Sequence, residues 1–290
     1  MGSFARECAC AGFAALNFPA HSGVVCNNTM TETDSPFSDI APDYDAAFSD
    51  RAQVRALRER VQKLMLARFP QGGRILEIGC GTGIDAHFLA EHGYSVLATD
   101  PSRGMLRVAK ERCRDIDAVD FARMRAEHLA CVRDRSVDGI LSNFGALNCI
   151  EHLQPVLNDA YHILRDNGIV ILCLMNRFSL TETMAYLQHG NVRQAVRRWH
   201  RGGVRVSVGA HPVLTWYHSL RAIKRMIRGT FTVLDVVGLN VLTPPPSFER
   251  LYARHPRLIA FASALERRID TVPFLSTLGD HYVVVLERFE

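Results

Sequence analysis

The sequence predicts an α/β fold, a mostly parallel sheet with helices on both faces. Three observations carry this. Short apolar runs alternate with amphipathic segments through most of the chain. The glycine-rich turn Gly79-Cys80-Gly81-Thr82-Gly83 joins the first run to a helical segment. Asp100 closes the second run about 20 residues further on, the spacing of an acid that accepts ribose hydroxyls.

Taken in order, residues 1–35 read as a disordered extension, with Met30 as an expected natural start, and 36–290 read as one domain. A helix is expected within 40–69, because Val54, Leu57, Val61, Leu64 and Leu66 recur at near-helical spacing and Pro70 ends the pattern. Strands are expected at 74–78, 95–99, 119–123, 137–142, 169–175, 231–237 and 281–288, and helices at 84–92, 103–114, 151–165 and 218–228. The alternation breaks at 176–217, where a basic helix meets a hairpin formed by "VRVSV" and "VLTWY". It breaks again at 241–279, which holds a helix near 248–269. Both insertions fall where open sheets bind ligands, beyond the carboxyl ends of strands.

Composition excludes some classes. A formal net charge of +4 is too mild for a nucleic-acid footprint, so no nucleic-acid partner is expected. The eight cysteines contain no Cys-x-x-Cys pair, so no metal is expected, and their use suits a reducing, cytoplasmic setting. No apolar run reaches the roughly 20 residues of a membrane span.

Glycines at 79, 81 and 83 remove Cβ atoms from a backbone that a ligand would approach. A dinucleotide turn reads G-x-G-x-x-G. Here the spacing is G-x-G-x-G, preceded by Glu77, whose carboxylate would repel a pyrophosphate but tolerate an ammonium or sulfonium. Glu77-x-Gly79-x-Gly81-x-Gly83 resembles the first motif of class I S-adenosylmethionine-dependent methyltransferases, of the kind acting on small molecules. Asp100-Pro101-Ser102 followed by Met105 is similar to that family's second motif.

The resemblance implies a doubly wound, Rossmann-like sheet of seven strands in the order 3-2-1-4-5-7-6, the last antiparallel. It also implies S-adenosylmethionine as cofactor, leaving as S-adenosylhomocysteine. The implied cofactor contacts are Glu77, Gly79, Cys80, Gly81, Gly83, Asp100, Pro101, Ser102, Met105, Asn143 and Phe144. Tyr44 resembles a residue of an amino-terminal helix that covers the cofactor, and Asp85 reads either as a contact or as an acid favouring a helix N-terminus. Where many relatives carry an Asp facing adenine, this chain has Arg125, which leaves Ala126 and Glu127 as candidates for that edge.

The implied reaction is methyl transfer to an oxygen or nitrogen of a small acceptor, anionic or aromatic. His152 and His211 are candidate bases, needed only if the acceptor loses a proton. Arg193, Arg197 and Arg201 recur every four residues, which suits a solvated helix face or recognition of an anion. Residues 176–217 are expected to form a lid hinged at Gly202-Gly203. The alternatives are a methyltransferase acting on RNA or protein, a cofactor-binding module without turnover, and a nicotinamide dehydrogenase.

Overall fold

The computed structural model describes residues 35–289 apart from 201, 210, 246, 247 and 273; the expected extension lies almost wholly outside the described residues. Five parallel strands form first: β1 (Arg74–Ile78), β2 (Ser95–Asp100), β3 (Val119–Arg123), β4 (Val137–Ser142) and β5 (Leu164–Met175). A separate hairpin follows, β6 (Val204–Val208) with β7 (His211–Thr215), and then β8 (Phe231–Leu239) and β9 (His281–Arg288). The main sheet has the order β3-β2-β1-β4-β5-β9-β8, with β9 antiparallel to both neighbours. That is the expected 3-2-1-4-5-7-6 order.

Strands covered on both faces read as continuous apolar runs. Ile75, Leu76 and Ile78 of β1, and Tyr282 through Leu286 of β9, are buried accordingly. On one face lie α1 (Ala52–Arg68), α2 (Ile84–Glu91) and α3 (Arg103–Arg112), through residues such as Val61, Met65, Leu89 and Ala109. On the other lie α4 (Leu153–Ile163) and α7 (Leu220–Met226), through Val156, Leu157, Ala160 and Ile223. The insertions add α5 (Leu180–Gln188), α6 (Val192–Ala195), α8 (Glu249–Arg254) and α9 (Pro256–Ile269).

The expected helix 40–69 is three pieces: a 3-10 turn at Ala41–Asp43, a π turn at Asp45–Ser49, and α1. Arg51 breaks it with an extended backbone, ψ 131°. The expected helix 248–269 is split at His255, which precedes Pro256 and is pushed out of helical geometry by it. The basic helix is not a continuous helix. Only α6 and a 3-10 turn, Arg197–Trp199, occupy that stretch. A helix not foreseen, α5, precedes it, capped by the Ser179 hydroxyl accepting from the Glu182 N–H.

β2 and β3 lie on one side of β1, and β4 lies on the other. The chain therefore reverses its winding between β1 and β4, opening a crevice at their carboxyl ends.

Candidate functional site

The glycine turn leaves β1 at that crevice. Gly79, Gly81 and Gly83 all have positive φ, of 72°, 54° and 79°, which favours glycine on backbone grounds alone. Their spatial reasons differ. A Cβ on Gly79 would lie 2.3 Å from the Ala146 Cβ, and one on Gly83 would lie 2.8 Å from the Ala109 Cβ of α3. Those two glycines serve packing, a gain that the sequence reading did not foresee. A Cβ on Gly81 would meet nothing within 4 Å. Gly81 alone faces open space.

Acidic groups converge around that space. Asp100, at the end of β2, accepts the N–H of Gly81 at 3.0 Å and of Ser102 at 2.8 Å, so its carboxylate is fixed. Ser102 caps α3 by accepting the Met105 N–H, and the Pro101 carbonyl accepts from Arg123. Met105 is buried behind them.

Glu77 is 2 % exposed, and its Oε2 has no hydrogen-bond partner among the described residues. Burial, reinforced by the nearby Asp85 and Asp100 charges, pushes its pKa well above the carboxylate range, although Arg58 opposes this. Asp85 is buried as well, but it is satisfied. It pairs with Arg58 and accepts from Gln62 and from the Asn143 side chain. Asn143 in turn accepts the N–H of Phe144, which sits at φ 47° with the Arg58 guanidinium 4.6 Å over its ring. Arg58, which is not among the residues singled out from the sequence, thus links Asp85 to Phe144.

The amino-terminal turns close the other side. Asp45 accepts from the Thr82 hydroxyl and pairs with Arg112. Tyr44 is pushed up to about 12, chiefly by burial, within range of the Arg58, Asp45 and Asp100 charges. Ala126 is buried, Glu127 is exposed, and Cys149 lies within charge range of both Asp100 and Glu127. The cradle therefore brings together Tyr44, Glu77, Cys80, Gly81, Asp85, Asp100, Asn143 and Phe144.

The two histidines singled out from the sequence lie elsewhere in the contact network. His152 is exposed at the start of α4, and His211 lies 3.0 Å from Asp39 with its side chain 43 % exposed. Among the described residues neither hydrogen-bonds to the cradle. The histidine that faces it is His281, the first residue of β9. Its ring packs edge-on to Phe144, centroids 6.2 Å apart, and its Nδ1 lies 2.8 Å from the buried Asp280. Burial alone would raise the Asp280 pKa, but Arg198 and His281 outweigh it and hold the carboxyl well below its usual range. The sequence offered no local signal for this dyad, because Asp280-His281 stands at the far end of the chain beside the last strand.

Arg198 anchors the first insertion. It is buried, pairs with Asp280 at 2.5 Å and with Glu182 of α5, and lies 4.9 Å over the Tyr217 ring. Arg197 also pairs with Glu182, whereas Arg193 is exposed and Arg201 lies outside the described residues. The expected glycine hinge is packed on one side, since a Cβ on Gly203 would lie 2.9 Å from the Trp216 ring. Asn148 straps the hairpin down: its amide donates to the Trp216 and Met175 carbonyls, and its own carbonyl accepts the Trp216 N–H. Just beyond Met175, the register partner of His281, a cleft of about 410 Å³ is lined by Arg177, Phe178, Trp199 and Arg221 among others.

The arrangement suits a ligand with a cationic end and a ribose. An ammonium would satisfy the Glu77 oxygen, a ribose would find Asp100, and the space over Gly81 admits a chain between them.

Residues 76–172 match a family model described as a methyltransferase domain. Over 102 residues the chain is 34% identical to a demethylmenaquinone methyltransferase of Clavibacter sepedonicus, covering 35% of this chain and 41% of that one. Over 146 residues it is 30% identical to the ubiquinone/menaquinone biosynthesis C-methyltransferase UbiE of Campylobacter jejuni, covering 47% and 60%. The chain thus spans about half the length of these two relatives. Among solved structures, a putative S-adenosylmethionine dependent methyltransferase from Listeria monocytogenes shares the fold, with a TM-score of 0.56 at 19% identity over 80% of this chain and 96% of that one.

Proposed function

We propose that this chain, a class I S-adenosylmethionine-dependent methyltransferase, methylates a small-molecule acceptor at an oxygen or a nitrogen. The observation that carries the reading is the cradle: a buried, unpartnered Glu77 oxygen, an open space over Gly81, and Asp100 fixed by two backbone amides. When bound, S-adenosylmethionine supplies an electrophilic methyl carbon on a positively charged sulfur.

The protein's own groups do the rest. Glu77 holds an ammonium, Asp100 accepts ribose hydroxyls, and Tyr44 and Phe144 exclude water from the space between. Methyl transfer needs an in-line approach, and positioning alone supplies much of the rate. An acceptor hydroxyl or amine also sheds a proton. His281 is the group to take it, because its ring packs against Phe144 of the cradle, with the Asp280 carboxylate 2.8 Å from its Nδ1. Arg177 and Arg221 with Phe178 and Trp199 fit an acceptor that is anionic or aromatic.

A second reading is transfer to a ring carbon beside a hydroxyl, favoured by the relative that carries C-methyltransferase in its name. It uses the same base, since removing the hydroxyl proton pushes electron density onto the adjacent carbon.

The experiment is turnover of hydroxylated aromatic and amine acceptors with isotopically labelled cofactor, the methylated atom being read by NMR. His281→Gln is expected to lower kcat by about 10²-fold or more with cofactor affinity kept. A rate unchanged by His281→Gln would remove the base, and a product methylated at carbon would replace the first reading by the second.

A further inference from the structure

Helix α9 leaves an apolar stripe on its water side, where a surface helix normally carries polar residues. Its only acidic residue, Glu266, is 2 % exposed. One oxygen accepts the Asn240 N–H, and the other accepts the N–H groups of Leu242 and Thr243. Arg60 of α1 binds Glu266 at 2.8 Å and Asp270, one turn on, at 2.5 Å. These bonds fix the rotation of the helix about its axis.

With Glu266 held inward, positions 258, 261 and 265 fall to one side of it, about 80–140° round the helix. Leu258, Phe261 and Leu265 are 63 %, 68 % and 41 % exposed, spaced three and four residues apart along one stripe. Val272 and Phe274, in the turn that follows, are exposed too. At about 100° per residue, Arg257 and Arg268 lie along one edge of the stripe, and Arg267 lies further round. All three are exposed.

We propose that α9 docks this protein on an anionic lipid surface, its apolar stripe entering the headgroup boundary while the flanking arginines meet phosphate. The charge decides the occupant. A second copy joined by two-fold symmetry would set arginine edge against arginine edge with no exposed carboxylate on either helix to offset them. An anionic headgroup layer complements both the stripe and its rim.

The position fits docking for use. Glu266 binds the loop leaving β8, and β8 runs parallel to β5, both being antiparallel to β9. The helix therefore sits at the end of the sheet where the cradle opens, so an acceptor dissolved in the bilayer would be delivered at that end. The docking stands apart from the proposed function, since it requires no particular acceptor.

The test is co-sedimentation of the full chain with extruded vesicles, either phosphatidylglycerol mixed with phosphatidylcholine or phosphatidylcholine alone. Binding is expected to the mixed vesicles, weakened by added salt and by removing phosphatidylglycerol. Phe261→Ser with Leu265→Ser, and separately Arg257→Glu with Arg268→Glu, should each lower the bound fraction about tenfold while S-adenosylhomocysteine affinity is kept, which shows that the variants fold. Wild-type protein left in the supernatant with anionic vesicles would overturn the proposal, as would variants that bind like wild type. A concentration-dependent dimer dispersed by the serine substitutions would assign the face to a second copy instead.

Discussion

At the residue scale, the cradle's acids divide by environment. Asp100 is fixed by two backbone amides, one of them that of Gly81 itself, so it is held in place at the edge of the open space. Asp100→Ala is expected to weaken S-adenosylmethionine binding at least tenfold by calorimetry, since hydrogen bonds to a charged group contribute roughly 1.5–3 kcal/mol. Glu77 is the opposite case. Its pKa is raised in the folded chain, so folding is not penalised below the ordinary carboxylate pKa, where both states are protonated. As pH rises past that value, the unfolded chain ionises while the folded one resists, and stability falls. Glu77→Gln should therefore raise the melting temperature of the ligand-free protein at pH 7 and above, with the gain vanishing toward pH 4, while weakening cofactor binding. A variant less stable than wild type across that range would show that the carboxylate is satisfied in the free protein.

At the scale of elements, one buried cation ties the first insertion to the sheet. Arg198 joins α5, through Glu182, to the start of β9, through Asp280, and Tyr217 covers it. Arg198→Met would remove the buried cation that Glu182 and Asp280 share. Breaking a buried pair in this way costs roughly 3–5 kcal/mol, which urea denaturation would register as a large drop in midpoint. Adding Glu182→Gln and Asp280→Asn should recover much of the loss, since neutral amides tolerate burial better than unpaired charge. The same network sets the Asp280 carboxylate beside His281, so Arg198→Met should also slow turnover beyond what lost stability explains.

At the scale of the whole molecule, the site spans both ends of the chain: amino-terminal turns, the β1 and β4 loops, and the start of β9. A ligand that bridges them stabilises the folded state by mass action, about 2.7 kcal/mol at a hundredfold excess over Kd. S-adenosylhomocysteine is expected to raise the melting temperature by several degrees, while NADH, whose pyrophosphate would meet Glu77, leaves it unchanged. A shift with NADH alone would overturn the cofactor assignment.

Local pattern sufficed wherever a structural requirement was itself local. Short runs of strand length announced all seven strands of the main sheet, most plainly β1, β2 and β4, where burial on both faces demands apolar composition residue by residue. The glycines at 79, 81 and 83 announced a special turn, because positive φ is a property of single residues. Only the tertiary structure decided why each glycine is there: two pack against Ala146 and Ala109, and one borders open space. It alone brought Arg58 to Asp85 and Phe144, set Asp280-His281 against the loop after β4, and turned the apolar stripe of α9 outward by holding Glu266 within. Those pairings join residues from 23 to more than 200 positions apart. No periodicity encodes them, because they are fixed by the order in which strands pair and not by the order in which residues follow one another.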